Sequence, residues 1–258
     1  MILVISPAKT LDFATPAHTG VHTQPDFLAE SAGLVKLLRN LSIDQLAGLM
    51  GISDPLAALN AGRFKQWKRP FPPGTAKQAV LAFDGDVYGG LDAAGLGQDD
   101  LDFAQDHLRI LSGLYGCLRP LDLILPYRLE MRTRLANGRG RDLYAFWGDR
   151  LTRSLNQALA KGSGALVNLA SAEYFKVVDP KALAGRVITP VFEDWSRGEY
   201  RVVGLFAKRA RGLMCRYAIR KRLEEPGGLQ GFKAEGYRFD RKASSEDRWV
   251  FRRKVMPS

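Results

Sequence analysis

The residues best equipped for chemistry stand at the ends of short apolar runs. Lys9 follows the run Ile2–Ile5 and the string Ser6-Pro7-Ala8; Asp84, Asp86 and Tyr88 follow the apolar run 80–83. Arg119, Asp122, Tyr127, Arg128, Glu130 and Arg132 crowd a stretch rich in Leu and Pro. In α/β folds the loops at the carboxyl ends of strands converge on a cleft. Lys9, Asp84, Tyr88, Arg119, Arg128 and Glu130 form a candidate cleft set, which would bind a phosphate or work as acid and base. A structural ion-pair network is the competing reading of the same residues.

A second concentration of function lies in the charge. The chain of 258 residues has a formal charge of +11. Residues 1–200 hold 22 basic and 21 acidic residues, whereas residues 201–258 hold 16 basic and 6 acidic ones. A local basic block attracts polyanions, because each phosphate contact releases a counterion. Within that block, Lys208, Arg209, Arg211, Arg216, Arg220, Lys221 and Arg222 fall in a segment of helical periodicity at 206–223. Phe206, Ala210, Leu213, Met214 and Tyr217 share one side of it and are expected to anchor it. The flanking guanidinium groups suit phosphate, since the planar fork makes two hydrogen bonds at once. Complementing the helix dipole accounts for Arg220 and Arg222 but not for Lys208, Arg209 and Arg211.

The segment 42–60 reads as two short helices joined by a tight turn, followed by a third helical stretch at 61–68. Ser42 is the expected N-cap of the first helix, Gly51 its stop, and Ser53 or Asp54 the cap of the second, with Pro55 in its first turn. The pattern is similar to a helix-hairpin-helix, with Met50, Gly51, Ile52 and Ser53 as the hairpin. Such a hairpin aims backbone amides at a DNA phosphate without reading sequence. A plain helical hairpin with a glycine turn is the alternative.

These side chains must be held by a core, and the composition supplies one. Hydrophobic residues are 46% of the chain and charged residues 25%, as in a soluble globular protein. Strands are expected at 2–5, 80–83, 108–113, 165–171, 187–192, 200–205, 236–241 and 248–255, and helices at 27–41, 143–160, 173–178 and 206–223. Pro70, Pro72 and Pro73 interrupt the chain near 69–75. The fold class expected is α/β, a mixed α+β sheet core, as one domain over residues 1–258. The segment 42–68 would be a protruding helical insertion. Two separated cysteines, Cys117 and Cys215, suggest a reducing compartment without disulfides. The short apolar N-terminal run is no signal peptide, and no stretch approaches a membrane span, so a cytoplasmic protein is expected. His18, His22 and His107 are joined by no cysteine or carboxylate set, so neither a metal nor a cofactor is expected. The sequence has no Walker loop, no G-x-G-x-x-G after a strand and no G-x-S-x-G, and therefore no recognised catalytic motif.

Seven strings, in order, carry a resemblance. They begin at Ser6-Pro7-Ala8-Lys9-Thr10-Leu11-Asp12, Phe83-Asp84-Gly85-Asp86-Val87-Tyr88-Gly89-Gly90 and Leu111-Ser112-Gly113-Leu114-Tyr115-Gly116. They continue through Pro126-Tyr127-Arg128-Leu129-Glu130-Met131, Tyr144-Ala145-Phe146-Trp147-Gly148, Asn168-Leu169-Ala170-Ser171-Ala172-Glu173-Tyr174 and Ala207-Lys208-Arg209-Ala210-Arg211-Gly212. Together they resemble the YaaA family of peroxide-stress proteins. The resemblance implies a cytosolic bacterial protein that limits iron-linked oxidative damage. It also implies double-stranded DNA binding through a helix-hairpin-helix and a positively charged cleft. One position departs from the family: Arg132 stands where a glycine is usual, which puts the local backbone in question and adds a cation.

The leading expectation is a peroxide-stress protein that binds double-stranded DNA without sequence specificity. The DNA-binding residues would be Met50, Gly51, Ile52, Ser53, Lys208, Arg209, Arg211, Arg216, Arg220 and Arg222. The alternative is an enzyme acting on a nucleotide or another phosphorylated small molecule in the strand-end cleft. Convergence of the cleft set with side chains left unpaired would favour the alternative; dispersal into separate ion pairs would count against it.

Overall fold

The computed structural model describes residues 1–71 and 74–254. Pro72, Pro73 and the last residue of the 248–255 strand lie outside the described residues.

The first strand, β1 (Ile2–Ile5), is buried along its whole length at the centre of an eight-stranded mixed sheet. Four apolar residues in a row suit a strand covered on both faces. Helices α1 (Leu28–Arg39), α2 (Ile43–Met50), α3 (Asp54–Gln66), α4 (Asp86–Leu91) and α5 (Gln98–His107) follow. The chain then enters β2 (Leu108–Ser112) and β3 (Gly116–Leu118), helices α6 (Leu143–Trp147) and α7 (Arg150–Leu159), and β4 (Ala165–Asn168). After α8 (Ala172–Phe175) come β5 (Arg186–Ser196), β6 (Glu199–Arg201), α9 (Gly204–Arg220), β7 (Arg238–Phe239) and β8 (Arg248–Arg253).

The strand order is β7-β8-β5-β4-β1-β2-β3, with β6 paired to β5. β1 runs parallel to both neighbours, with Leu3 opposite Leu108 on one side and opposite Val167 on the other. The chain builds first to one side of β1, through β2 and β3, and later to the other, through β4. The strand order therefore reverses at the β1–β4 junction, where the loops leaving the two carboxyl ends diverge and open a crevice. A two-residue ladder sets Thr10 opposite Asp84 and so fixes the loop after β1 against the start of α4.

The fold matches the mixed α/β expectation, and four elements differ from the sequence reading. The run 80–83 is mostly a short helix, Ala79–Ala82, because a short continuous apolar run has no periodicity to distinguish helix from strand. The helix expected at 143–160 is two helices, divided at Gly148 with φ of 50°. The stretch 61–68 is no separate helix but the continuation of α3 as far as Gln66. Between the strands expected at 187–192 and 200–205 the connection shrinks to the turn Arg197-Gly198, with φ of 56° and 86°, and the second strand ends at Arg201, since Gly204 and Leu205 already belong to α9. Such left-handed pairs match the twist of a hairpin.

The turn between α2 and α3 follows from its residues. Ser42 and Gln45 form a reciprocal capping box at the start of α2, and Gly51 ends it in the left-handed conformation, φ 61°. Ser53 is the N-cap of α3 by backbone position, yet its hydroxyl makes no capping bond. Leu46, Ala57 and Phe64 bury the inner faces of the pair. The Arg39 guanidinium of α1 donates to the carbonyls of Phe64 and Lys65, at 2.7 and 3.3 Å, and to that of Trp67. It thereby satisfies the free carbonyls at the end of α3.

Candidate functional site

The crevice at the β1–β4 junction is a cleft of about 510 Å³. One wall is the loop after β1, from Ser6 to Thr10. Another is the loop after β4, with Leu169, Ser171, Glu173 and Tyr174. Asp84, Asp86, Tyr88, Glu130, Arg132, Lys208 and Arg211 complete the lining, with Lys208 beside Asp86 at 3.9 Å. Ser6 ties the two loops together: its hydroxyl donates to Ser171 Oγ at 3.2 Å and accepts from the Ser171 amide at 2.9 Å. Tyr88 donates to the Ser6 carbonyl at 3.0 Å. Burial pushes the Tyr88 and Tyr174 phenols up, so both remain neutral walls rather than acids near neutral pH.

Of the cleft set, Lys9, Asp84, Tyr88 and Glu130 converge here. Glu130 is the hub. Its buried carboxylate meets Lys9 at 3.3 Å, Arg128 at 3.0 Å and Arg132 at 3.4 Å. One carboxylate facing three cations leaves a local positive excess. Arg128 points to an adjoining cleft of about 400 Å³, lined also by Gly48, Leu49, Met50, Gly51, Thr133 and Arg134. The two clefts share Glu130 and Arg132. The hairpin glycine and the start of α9 thus border a continuous surface. Arg132 pairs with Glu130 and also with Glu173 at 3.9 Å. It is not among the residues with positive φ, so an arginine fits where glycine is usual without backbone strain.

Arg119 does not belong to this surface. It binds the fully buried Asp122 at 2.9 Å, Asp26 at 3.3 Å and the Gln24 carbonyl at 2.8 Å. Thr23 completes the cluster by donating to Asp122 at 2.5 Å. This is a structural network that pins the loop at 23–26 to the β3 end.

The basic helix differs from its sequence reading in two ways. Its anchoring stripe is Ala207, Ala210, Met214, Cys215, Ala218 and Ile219, while Phe206 is exposed and Leu213 and Tyr217 only partly buried. The reason is close packing on α4. A Cβ on Gly212 would lie 1.8 Å from the Val87 carbonyl oxygen, and one on Gly90 would lie 2.2 Å from that of Arg209. Small residues let the two backbones approach, so size, not apolarity, selected the contact face.

The second difference is in the charges. The cations are mostly paired, and with carboxylates remote in the chain. Arg209 meets Glu235 at 2.7 Å, Arg216 meets Asp92 at 3.1 Å, and Arg220 and Arg222 meet Asp100 at 2.9 and 3.2 Å. Lys208 meets Asp86 at 3.9 Å. Arg211 alone of these has no ion pair or hydrogen bond from its side chain among the described residues, and burial pulls its guanidinium below the ordinary arginine value. In the last strand, Arg252 bridges Glu193 and Asp240, and Arg253 binds Asp194 at 2.6 Å. That strand is fastened to β5 by ion pairs rather than left as a solvated basic tail.

Sequence reasoning missed Ser6, Ser171, Glu173, Tyr174 and Arg134 as members of this surface. Ser6 and Ser171 carried a signal, since each ends an apolar strand run. Arg134 carried none. Among the described residues, no group of three His, Cys, Asp or Glu side chains is arranged to hold a metal ion. Among the described residues, no helix is long and apolar enough to cross a membrane.

The model of a family described as peroxide stress protein YaaA matches residues 1–243. A UPF0246 protein of Ralstonia nicotianae is 62% identical over 256 residues, covering 99% of this chain and 100% of the relative. One of Ralstonia pickettii is 60% identical over the same shares, and one of Burkholderia mallei is 59% identical over 258 residues, 99% of each chain.

Proposed function

The chain belongs to the peroxide stress protein YaaA family, and from that premise we propose that it serves the peroxide-stress response by binding double-stranded DNA without sequence specificity. The observation that carries this reading is the joined pair of clefts beneath the α2–α3 hairpin. Lys9, Arg128, Arg132, Arg134, Lys208 and Arg211 face four carboxylates there, Asp84, Asp86, Glu130 and Glu173. The unsatisfied first turn of α3 adds backbone donors, although Pro55 supplies none and Asp54 brings an acid to the approach. Binding would rest on phosphate contacts, which position a duplex without reading bases. Limiting iron-linked oxidative damage belongs to the same proposal and rests on the family.

With about four phosphate contacts, affinity for a mixed-sequence duplex should fall on the order of 100-fold between 50 and 200 mM salt. Replacing Arg132 and Arg134 together with Ala should weaken every duplex sequence alike. A binding constant indifferent to salt, or a loss confined to one sequence, would overturn the reading.

A second reading, an enzyme or binder acting on a nucleotide or other phosphorylated small molecule, is favoured by one observation: Arg211 faces the β1–β4 cleft without a partner. Thiol chemistry with peroxide is a poor fit. Both cysteines are buried, and burial pushes the Cys117 thiol up to about 11 and that of Cys215 higher.

A further inference from the structure

Arg211 is the anomaly of the basic helix. A partly desolvated guanidinium with no carboxylate is disfavoured in an isolated protein, and every neighbouring cation on α9 has found one. Its surroundings are those of a ligand site. The cleft lies outside the carboxyl ends of β1 and β4, at the reversal of strand order, and its volume of about 510 Å³ matches small-molecule sites. Ser171 Oγ accepts from Ser6, and no acceptor for its own proton appears among the described residues. Lys9 and Lys208 are more than half exposed, at 58% and 60%, so both side chains are free to swing. Asp84 lines the cleft without an ion pair among the described residues.

We propose that this cleft binds a phosphate monoester on a nucleotide unit. Arg211 makes the forked contact with the phosphate, Ser171 donates to a third oxygen, and Lys9 and Lys208 close over the charge. Asp84 accepts from a hydroxyl or amino group of the attached nucleoside. Donors from three elements, α9, the loop after β1 and the loop after β4, suit the three terminal oxygens of a phosphate better than the two of a carboxylate. The same chemistry is presented by a free mononucleotide and by the 5′-phosphorylated end of a DNA strand. The inference rests on the second reading above and names its ligand.

The test is calorimetry on the full chain at low salt with 2′-deoxyadenosine 5′-monophosphate, inorganic phosphate and deoxyadenosine. The monophosphate is expected to bind, inorganic phosphate to bind more weakly, and deoxyadenosine not to bind. Arg211→Gln should weaken the monophosphate about 10- to 100-fold, the range for a lost charge-assisted hydrogen bond. Lys181→Gln, which removes an exposed charge outside the cleft, should leave it unchanged. The melting temperature of Arg211→Gln should equal or exceed that of the wild type, because an unpaired charge is removed; this separates lost binding from lost folding. If neither phosphate compound binds the wild type, the second reading and this inference both fall. Binding that survives Arg211→Gln overturns this site and spares the second reading. A nicked duplex with a 5′-phosphate, compared with one ending in a hydroxyl, identifies the source. A preference abolished by Arg211→Gln assigns the site to DNA ends, and equal binding with the monophosphate retained assigns it to free nucleotide.

Discussion

The two ends of α9 carry the same kind of residue and put it to opposite uses. At the carboxyl end, Arg216, Arg220 and Arg222 are locked on Asp92 and Asp100 and hold the helix against α5 and the segment before it. Arg222 also stacks over the Phe103 ring, 5.3 Å from its centroid. At the amino end, Lys208 has one long contact and Arg211 none, and both face the cleft. Between the ends sits Gly212, pressed on the backbone of α4. A run of cations is therefore not one surface. Its meaning changes over three helical turns according to which carboxylates the fold delivers.

Three predictions bear on that contrast. The largest effect is expected at the pivot. In an isolated helix, Gly to Ala stabilises by about 1 kcal/mol. Gly212→Ala should reverse that sign and destabilise by roughly 1–3 kcal/mol, because the added Cβ meets immovable backbone. Chemical denaturation measures it, and a neutral or stabilised variant would mean that the two helices are not in such close contact.

A smaller effect is expected at the locked end. Asp100→Asn keeps the side-chain volume and removes the carboxylate shared by Arg220 and Arg222. Both arginines are about half exposed, at 51% and 42%, so solvent screens the pairs and the loss should be about 1 kcal/mol. Duplex affinity should not change, since the freed cations lie away from the clefts. A clear gain in affinity would show that the carboxyl end also meets DNA and would erase the contrast.

The smallest effect is a null response in the core, at Cys215 on the buried side of the same helix and at Cys117 on β3. Cys215 and Cys117 should resist a maleimide at pH 8 in the folded protein and react fully once it is denatured. Labelling of Cys215 in the native chain would mean that α9 does not stay packed on the core.

Much of the fold was legible in the sequence because it depended on local signals. Ile2–Ile5 read as a buried strand from apolarity alone, and Ser42, Gly51 and Ser53 marked the helix ends through their side-chain and backbone preferences. The run 80–83 was not legible, since four apolar residues in a row leave no polar face to set a period. The site was legible in part. Lys9, Asp84, Tyr88 and Glu130 were found because strand ends in an α/β sheet gather in one place. Arg119 was misplaced with them because nothing local shows that Asp122, three residues on, is fully buried or that the remote Asp26 closes the network.

The charge balance shows the limit most clearly. The last 58 residues hold the net positive charge, yet four of the six cations around the joined clefts, Lys9, Arg128, Arg132 and Arg134, come from the nearly neutral first 200. The sequence by itself determined most element types, the caps, the turn at Gly51 and the reserve of cations, all of which depend on neighbours within a few residues. Only the tertiary structure decided which cations stay unpaired. Pairing depends on distances of about 3–4 Å between segments far apart in the chain, and Coulomb energy at that range is set by burial as much as by charge.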